Sequence, residues 1–369
     1  MARIATVHRV PMRHPGDVSG VAALLDAGAL DPADIVAILG KTEGNGCVND
    51  FTRAYAVQAL SVMLAGRLAL TPEAVAARIA MVMSGGTEGG LSPHFLVFSV
   101  RTTDAAATGA LAMGTAFTRD FAPEEIGRMP QLEATAAAVR AAMADAALTS
   151  PADVHYVQIK CPLLTSERIA AAEARGATVA THDTYASMGL SRGASALVVA
   201  LALGEVPAGA LSDAVIGQDT TLFSHRASAS AGVELTRNEI VVLGNSASWA
   251  GDLTIAHAVM QDGIDLPAIH AALRGAGLDP GAGQLAPDHC ARLVALLAKA
   301  EPSSSGRIRG NRHIMNDDSD INATRHARAL VCGVAAAAVG RTDLFISGGA
   351  EHQGPDGGGP VAAIARKEA

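Results

Sequence analysis

The sequence predicts an α/β fold made of three similar repeats arranged about a pseudo-threefold axis, and three observations predict it. A pattern Ser-(Gly/Ala)-Gly-x-Glu occurs three times, as Ser84-Gly85-Gly86-Thr87-Glu88, Ser230-Ala231-Gly232-Val233-Glu234 and Ser347-Gly348-Gly349-Ala350-Glu351. Before each copy, an apolar run ends in a lysine: Lys41, Lys160 and Lys299. Between the two, an arginine opens an alanine-rich stretch that ends near a glycine. A single match would be an ordinary strand-ending turn, but three motifs in one order, three times over, mark internal repetition.

The elements follow from these anchors. The repeats are expected over 1–104, 112–250 and 255–366, and the short joints between them predict one compact body. Lysine and serine are 43, 70 and 48 residues apart, so the middle repeat carries an insertion. The arginine stretches run from Arg53 to Gly66, Arg192 to Gly204 and Arg328 to Gly340, spans of 13, 12 and 12 residues. Arg325 competes with Arg328, because Thr324-Arg325 matches Thr52-Arg53, but the span favours Arg328. Apolar periodicity and capping predict helices over 22–30, 54–64, 124–147, 166–175, 194–203, 266–275, 288–299 and 324–339. Short β-rich runs predict strands over 97–100, 154–159, 240–243 and 344–346.

Composition narrows the class. The chain has 369 residues, 49% hydrophobic and only 3% aromatic, so the core must be Ala, Val, Leu and Ile. A net charge of −8 with no basic run argues against a nucleic-acid partner. No run reaches the roughly 18–20 continuous apolar residues of a membrane span, and the N-terminus lacks a signal-peptide core. The four cysteines have no C-x-x-C spacing, which fits a reducing cytoplasm.

Repeats about an axis bring equivalent residues to one centre. Ser84-Gly85, Ser230-Ala231 and Ser347-Gly348 would present hydroxyls and backbone N–H groups there, and their small second residues let the backbone approach a ligand. Arg53, Arg192 and Arg328 would add planar donor forks. Such a ring of donors suits a small flat heterocycle with three carbonyls. A serine needs a base to become a nucleophile, and a buried lysine beside arginine disfavours its ammonium form and can be that base. Symmetry leaves open which of Lys41–Ser84, Lys160–Ser230 and Lys299–Ser347 attacks. Ser228 is a decoy, since Ser230 has the glycine and glutamate of the other copies.

The stretches MSGGTEGGLSPH at 83–94, SRGASAL at 191–197, RASASAGVEL at 226–235, SGRIRGNRHIMNDDSDINATRH at 305–326 and SGGAEHQGPDGGG at 347–359 resemble the cyanuric acid hydrolase/barbiturase family of ring-opening amidohydrolases. The resemblance covers nearly the whole chain. It implies a barrel-like prism with a central active site, Ser230 as nucleophile and Lys160 as its base. Lys41 and Lys299 would belong to the two further dyads. Arg53, Arg192, Arg328 and the turns Ser84-Gly85, Ser230-Ala231 and Ser347-Gly348 would hold the ring carbonyls. Cyanuric acid would give carboxybiuret, then biuret and carbon dioxide; barbituric acid is the alternative substrate. The resemblance further implies a homotetramer, no catalytic metal, and a structural Mg²⁺ or Ca²⁺ held by Glu301, Ala350, Gln353, Gly354, Pro355 and Gly358, mostly through backbone carbonyls. A non-catalytic small-molecule binder on the same scaffold is the reading from another class.

Other signals fall away. Asp318-Ser319-Asp320-Ile321-Asn322 starts like a calcium loop, but Ala323 and Ala329 stand where Gly and Glu are needed, so Asn322 is expected to cap a helix instead. Gly281-Ala282-Gly283 follows a proline and no strand, which argues for a loop over a dinucleotide fingerprint. His94, His313, His326 and His352 are expected to support loops, and Cys161 to fill core.

Overall fold

The computed structural model describes residues 1–368. The first sheet takes strands β1 (Ala2–Pro11), β2 (Ile35–Thr42), β3 (Ala80–Gly85) and β4 (His94–Thr103), with helices α1 (Ser19–Asp26), α2 (Thr52–Leu68) and α3 (Pro72–Arg78) between them. The second takes β5 (Ala110–Phe117), β6 (Val154–Pro162), β7 (Ala227–Gly232) and β8 (Glu239–Ser246), with α4 (Met129–Asp145), α5 (Ser166–Glu173) and α6 (Thr184–Ala202). A two-residue strand, β9 (Trp249–Ala250), returns to pair with β1. The third takes β10 (Leu253–Met260), β11 (Leu293–Ala300), β14 (Phe345–Gly348) and β15 (Gly359–Arg366). Helices α7 (Leu266–Gly275), α8 (Pro287–Arg292) and α9 (Ala323–Val339), and the small hairpin β12 (Arg307–Ile308) with β13 (Asn311–Arg312), complete it.

The three sheets have one topology. Their strand orders are β1-β4-β2-β3, β5-β8-β6-β7 and β10-β15-β11-β14. In each, the first two pairings are antiparallel and the last is parallel. That last parallel pair is the one that carries the lysine and the serine.

Alternation along a strand sends successive side chains to opposite faces. Ala37, Leu39 and Lys41 therefore share one face of β2, and Ala295, Leu297 and Lys299 one face of β11. Ala37, Leu39, Ala295 and Leu297 belong to a central cluster that draws on all three sheets, while Ile35 and Ile38 pack outward against α2 and α3. The shortage of aromatics is met by close approach: a Cβ at Gly114 of β5 would lie 2.0 Å from the Ala142 carbonyl of α4, so only glycine lets this helix lie so near its sheet.

Several boundaries differ from expectation. The run 288–299 is not one helix: α8 ends at Arg292 and residues from Leu293 on form β11. All eight residues of β11 are buried, and an apolar run buried on both faces has no alternation to separate it from a helix. Strands β1, β5, β10 and β15 lie outside the runs read as strands; alanine, their commonest residue, favours neither period. Only Arg53 stands at a helix start; Arg192 lies in the middle of α6 and Arg328 in the second turn of α9. Gly340 caps α9 in the left-handed region at φ 77°, whereas Gly66 is internal to α2, whose cap is Ala69. Asn322 does cap α9, accepting from the Thr324 N–H at 3.0 Å. Helix α6 is long and apolar enough by composition to span a membrane, but most of it is buried within the fold.

Candidate active site

Register sets the site. In the three parallel pairs, Lys41 lies opposite Ser84, Lys160 opposite Ser230 and Lys299 opposite Ser347. The serines lie near the ends of their strands, where they open on a small cavity. Its lining holds Ser84, Gly85, Ser230, Ala231, Ser347, Gly348, Arg53, Arg192 and Arg328, so every residue proposed from sequence to contact the ring comes to one place. Met83, directly before Ser84, lines it too, as do Gly46 and Met188, and none of the three was named from sequence as a site residue. Met188 sits one helical turn before Arg192, and Gly46 belongs to the glycine-rich loop after Lys41; those spacings are the only signals that could have found them. The lysines stand behind the serines with no exposed surface.

Contacts run from each sheet to the next. Lys160 Nζ donates to the Met83 carbonyl at 2.6 Å and Lys299 Nζ to the Ala229 carbonyl at 2.9 Å, each time the residue before a serine in the preceding sheet. The arginines meet the glutamates of the motif in the opposite cyclic sense, each reaching the following unit. Arg192 of the second sheet's unit grips Glu351 of the third through two hydrogen bonds of 2.7 and 2.6 Å. Arg328 of the third grips Glu88 of the first in the same way, at 2.7 and 2.6 Å. Arg325 approaches Glu88 only to 3.9 Å, so Arg328 is the structural counterpart of Arg192.

The third pair departs from this pattern. Arg53 stands 3.9 Å from Glu234 and spends its guanidinium on the carbonyls of Ala231 and Cys47. Glu234 instead lies 2.8 Å from Lys160 Nζ, and neither of its carboxylate oxygens accepts a directed hydrogen bond among the described residues. The hydroxyls differ in parallel. Lys41 donates to Ser84 Oγ at 3.3 Å and Lys299 to Ser347 Oγ at 3.0 Å, whereas Ser230 Oγ lies 2.8 Å from Ser347 Oγ.

Burial penalises a charge that leaves water. It lowers Lys41 well below the ordinary lysine value, with Arg328 adding to the fall. It brings Lys299 down to about 7, with Arg192 adding. Lys160 is also lowered by burial, but there the Glu234 carboxylate pulls in the opposite direction. Burial pushes the Glu301 carboxyl up to about 7, and neighbouring Glu351 pushes the same way. Glu351 itself, despite burial, is held at about 2 by Arg192.

Glu301 follows β11 and shares a cavity wall with Ala350 and Gly354. Its carboxylate meets the Thr324 hydroxyl at 3.4 Å. The Gln353 carboxamide oxygen is taken by the Ala229 N–H at 2.7 Å, which leaves Gln353 its backbone oxygen as a donor atom. Of the histidines, His94 bonds the Ser92 carbonyl at 2.8 Å, and His352 accepts from the Gly217 N–H at 2.7 Å. Both hold loops. Cys161 is buried core.

Fold and cavity together define a hydrolase of the ring-opening amidohydrolase class, and known proteins agree. The family model for the amidohydrolase ring-opening protein matches residues 6–366, and the chain belongs to that family. It is 58% identical over 365 residues to a cyanuric acid amidohydrolase of Azorhizobium caulinodans, covering 99% of each chain. It is 57% identical over 365 residues to one of Ectopseudomonas oleovorans, covering 98% of this chain and 99% of the relative. The crystal structure of the cyanuric acid hydrolase from A. caulinodans superposes with a TM-score of 0.92 at 57% identity over the full length of both chains. A second solved cyanuric acid hydrolase gives a TM-score of 0.95 at 51% identity, covering 99% of this chain and all of that one.

Proposed function

We propose that the protein hydrolyses cyanuric acid, opening the ring at a carbon–nitrogen bond to give carboxybiuret, which loses carbon dioxide to leave biuret. The observation that carries this reading is the single small cavity on which three serine turns and three arginines converge. A planar ring with three carbonyls matches three donor sets related by a pseudo-threefold axis, with 1–104, 112–250 and 255–366 as the repeating units of a prism. Ser230 is the nucleophile and Lys160, opposite it across two strands, the general base. Backbone N–H groups at the turn face the developing oxyanion, the largest single source of rate in such sites. Ser84 and Ser347, with the arginines, hold the two carbonyls that are not attacked.

Glu301 with the backbone oxygens of Ala350, Gln353, Gly354, Pro355 and Gly358 suits a hard divalent cation such as Mg²⁺ or Ca²⁺, which takes oxygen ligands. A half-buried carboxylate that meets the Thr324 hydroxyl only at 3.4 Å, beside a second carboxylate, fits that role. The ion would offset this charge and brace the loop after β14; no chemical step passes through it. Homotetrameric assembly and residence in the cytoplasm complete the reading, the first tested by light scattering.

Purified protein incubated with cyanuric acid should consume ring absorbance and release carbon dioxide, and faster than it consumes barbituric acid. Ser230→Ala should lower kcat by about 10⁴-fold or more. No turnover of either ring would leave the non-catalytic binder standing.

A further inference from the structure

We propose that Glu234 is the third member of a Ser230–Lys160–Glu234 triad, the positioning residue that singles out one of three otherwise equivalent serine–lysine pairs for attack. The inference deepens the reading above and rests on Ser230 as nucleophile.

The argument starts at the turn. Gly86 and Gly349 occupy the third position of their motifs in the left-handed region, at φ 89° and 80°, and their strands end before them. A Cβ there would meet Arg328 at 2.6 Å and Arg192 at 2.4 Å, so these glycines let the arginines pass to Glu88 and Glu351. Gly232 holds the same place, yet β7 runs through it, and it is not among the glycines of positive φ. With the backbone extended for one residue more, Glu234 leaves its arginine partner and reaches Lys160.

Lys160 is thus the one lysine of the three with a carboxylate against its Nζ. Glu234 shares its surroundings with Arg53 of α2, Arg168 of α5 and Glu239 of β8, and Lys160 faces Arg53, Glu234 and Cys161. Two of those neighbours, Arg53 and burial itself, weaken the ammonium; Glu234 restores it. The attack step needs that restoration. The Ser230 O–H bond breaks and its proton passes to the Lys160 lone pair, while Oγ bonds the ring carbon and the carbonyl pair moves onto oxygen. When the intermediate collapses, the carbon–nitrogen bond breaks and the lysine's proton goes to the departing ring nitrogen. Glu234 keeps its charge throughout and stabilises the ammonium between the two transfers, as an aspartate does for an imidazolium in serine hydrolases. Glu88 and Glu351 favour the ammonium of Lys41 and Lys299 only through space, because each is gripped by an arginine and neither forms an ion pair with its lysine.

The test is Glu234→Gln, which keeps shape and removes charge. We expect kcat to fall about 10²-fold with KM within about threefold, the size of a general-base contribution. Without the anion the Lys160 ammonium is less favoured, so the rising limb of the kcat–pH profile should move acidward by about one unit. Glu88→Gln should leave that limb in place, and Glu234→Asp should restore it with part of the rate. A wild-type limb and rate in Glu234→Gln would overturn the proposal. Should that variant not fold, Glu234→Asp with a displaced limb and no recovered rate would do the same. Ser230→Ala and Lys160→Met run alongside: turnover in either brings down the underlying nucleophile assignment, whereas both dead beside an unaffected Glu234→Gln brings down Glu234 alone.

Discussion

The middle unit and its two neighbours share a strand order, a register and a motif, and differ in how their charges are spent. Around Ser84 and Ser347, arginine takes glutamate in a two-point grip and lysine is left to the serine hydroxyl. Around Ser230, lysine takes the glutamate, arginine turns to carbonyls, and the serine hydroxyl meets another serine. One backbone residue, Gly232, separates the two arrangements. Units of one topology can therefore divide labour without new residue types: on the proposed reading, two sets of donors would stay rigid and hold, and one would keep a base with an adjustable proton affinity.

The lysines give the largest test of that division. Lys160→Met should lower kcat about 10²- to 10⁴-fold, the range of general-base catalysis. Lys41→Met and Lys299→Met should cost less in kcat and more in KM, because on the proposed reading those lysines would brace turns that hold carbonyls. The contact between Ser230 and Ser347, with Lys299 behind it, offers a competing path for the proton. Steady-state kinetics that find Lys299→Met as damaging to kcat as Lys160→Met would shift the base to Lys299 and break the comparison.

The rigid units should reveal themselves through stability. Glu88→Gln strands the buried Arg328 guanidinium, and removing one partner of such a pair typically costs about 3–5 kcal/mol. Glu88 is itself partly open to solvent, so the lower end is expected. Glu234→Gln should cost less although its pair is more buried, since Lys160, unlike an arginine, can shed its proton and Arg53 keeps its carbonyl acceptors. Denaturant unfolding of the two variants orders them, and the reverse order would mean that the middle unit is the stiffer one.

Much of this site was readable before any fold was known. The lysine, arginine and serine anchors recur in order, and the register of a parallel pair carries them to the cavity without further information. Glutamate was readable only as a marker of the motif. Its work depends on an arginine from another unit and on the dihedral angle of one glycine, and neither has a local sequence signature. The mistaken helix over 288–299 has a different origin. A strand buried on both faces and made of Ala and Leu carries the composition of a helix, and only its pairing with β14 and β15 decides between them. Similar lysine-to-serine spacings of 43 and 48 residues in the outer units, against 70 in the middle one, did point to the unit that behaves differently, though not to the reason.

Glu301 offers the smallest effect and the sharpest sign. Its carboxyl titrates near 7 in the fold, above its ordinary value near 4.5, because burial and Glu351 disfavour the anion. The native state therefore holds a proton that the unfolded chain has already lost between these values. Stability should fall as pH rises from about 4.5 to about 7 and stay reduced above, by an amount on the order of 1–2 kcal/mol. Glu301→Gln should remove that slope and stabilise the metal-free protein at pH 8. A divalent cation on the carboxylate would act against the same penalty, so added Mg²⁺ or Ca²⁺ should raise the melting temperature at pH 8 far more than at pH 5, and chelation should reverse it. In Glu301→Gln the ion should do nothing. A cation effect that is equal at both pH values, or that survives in this variant, would place the ion elsewhere and leave the loop after β14 braced by its own hydrogen bonds.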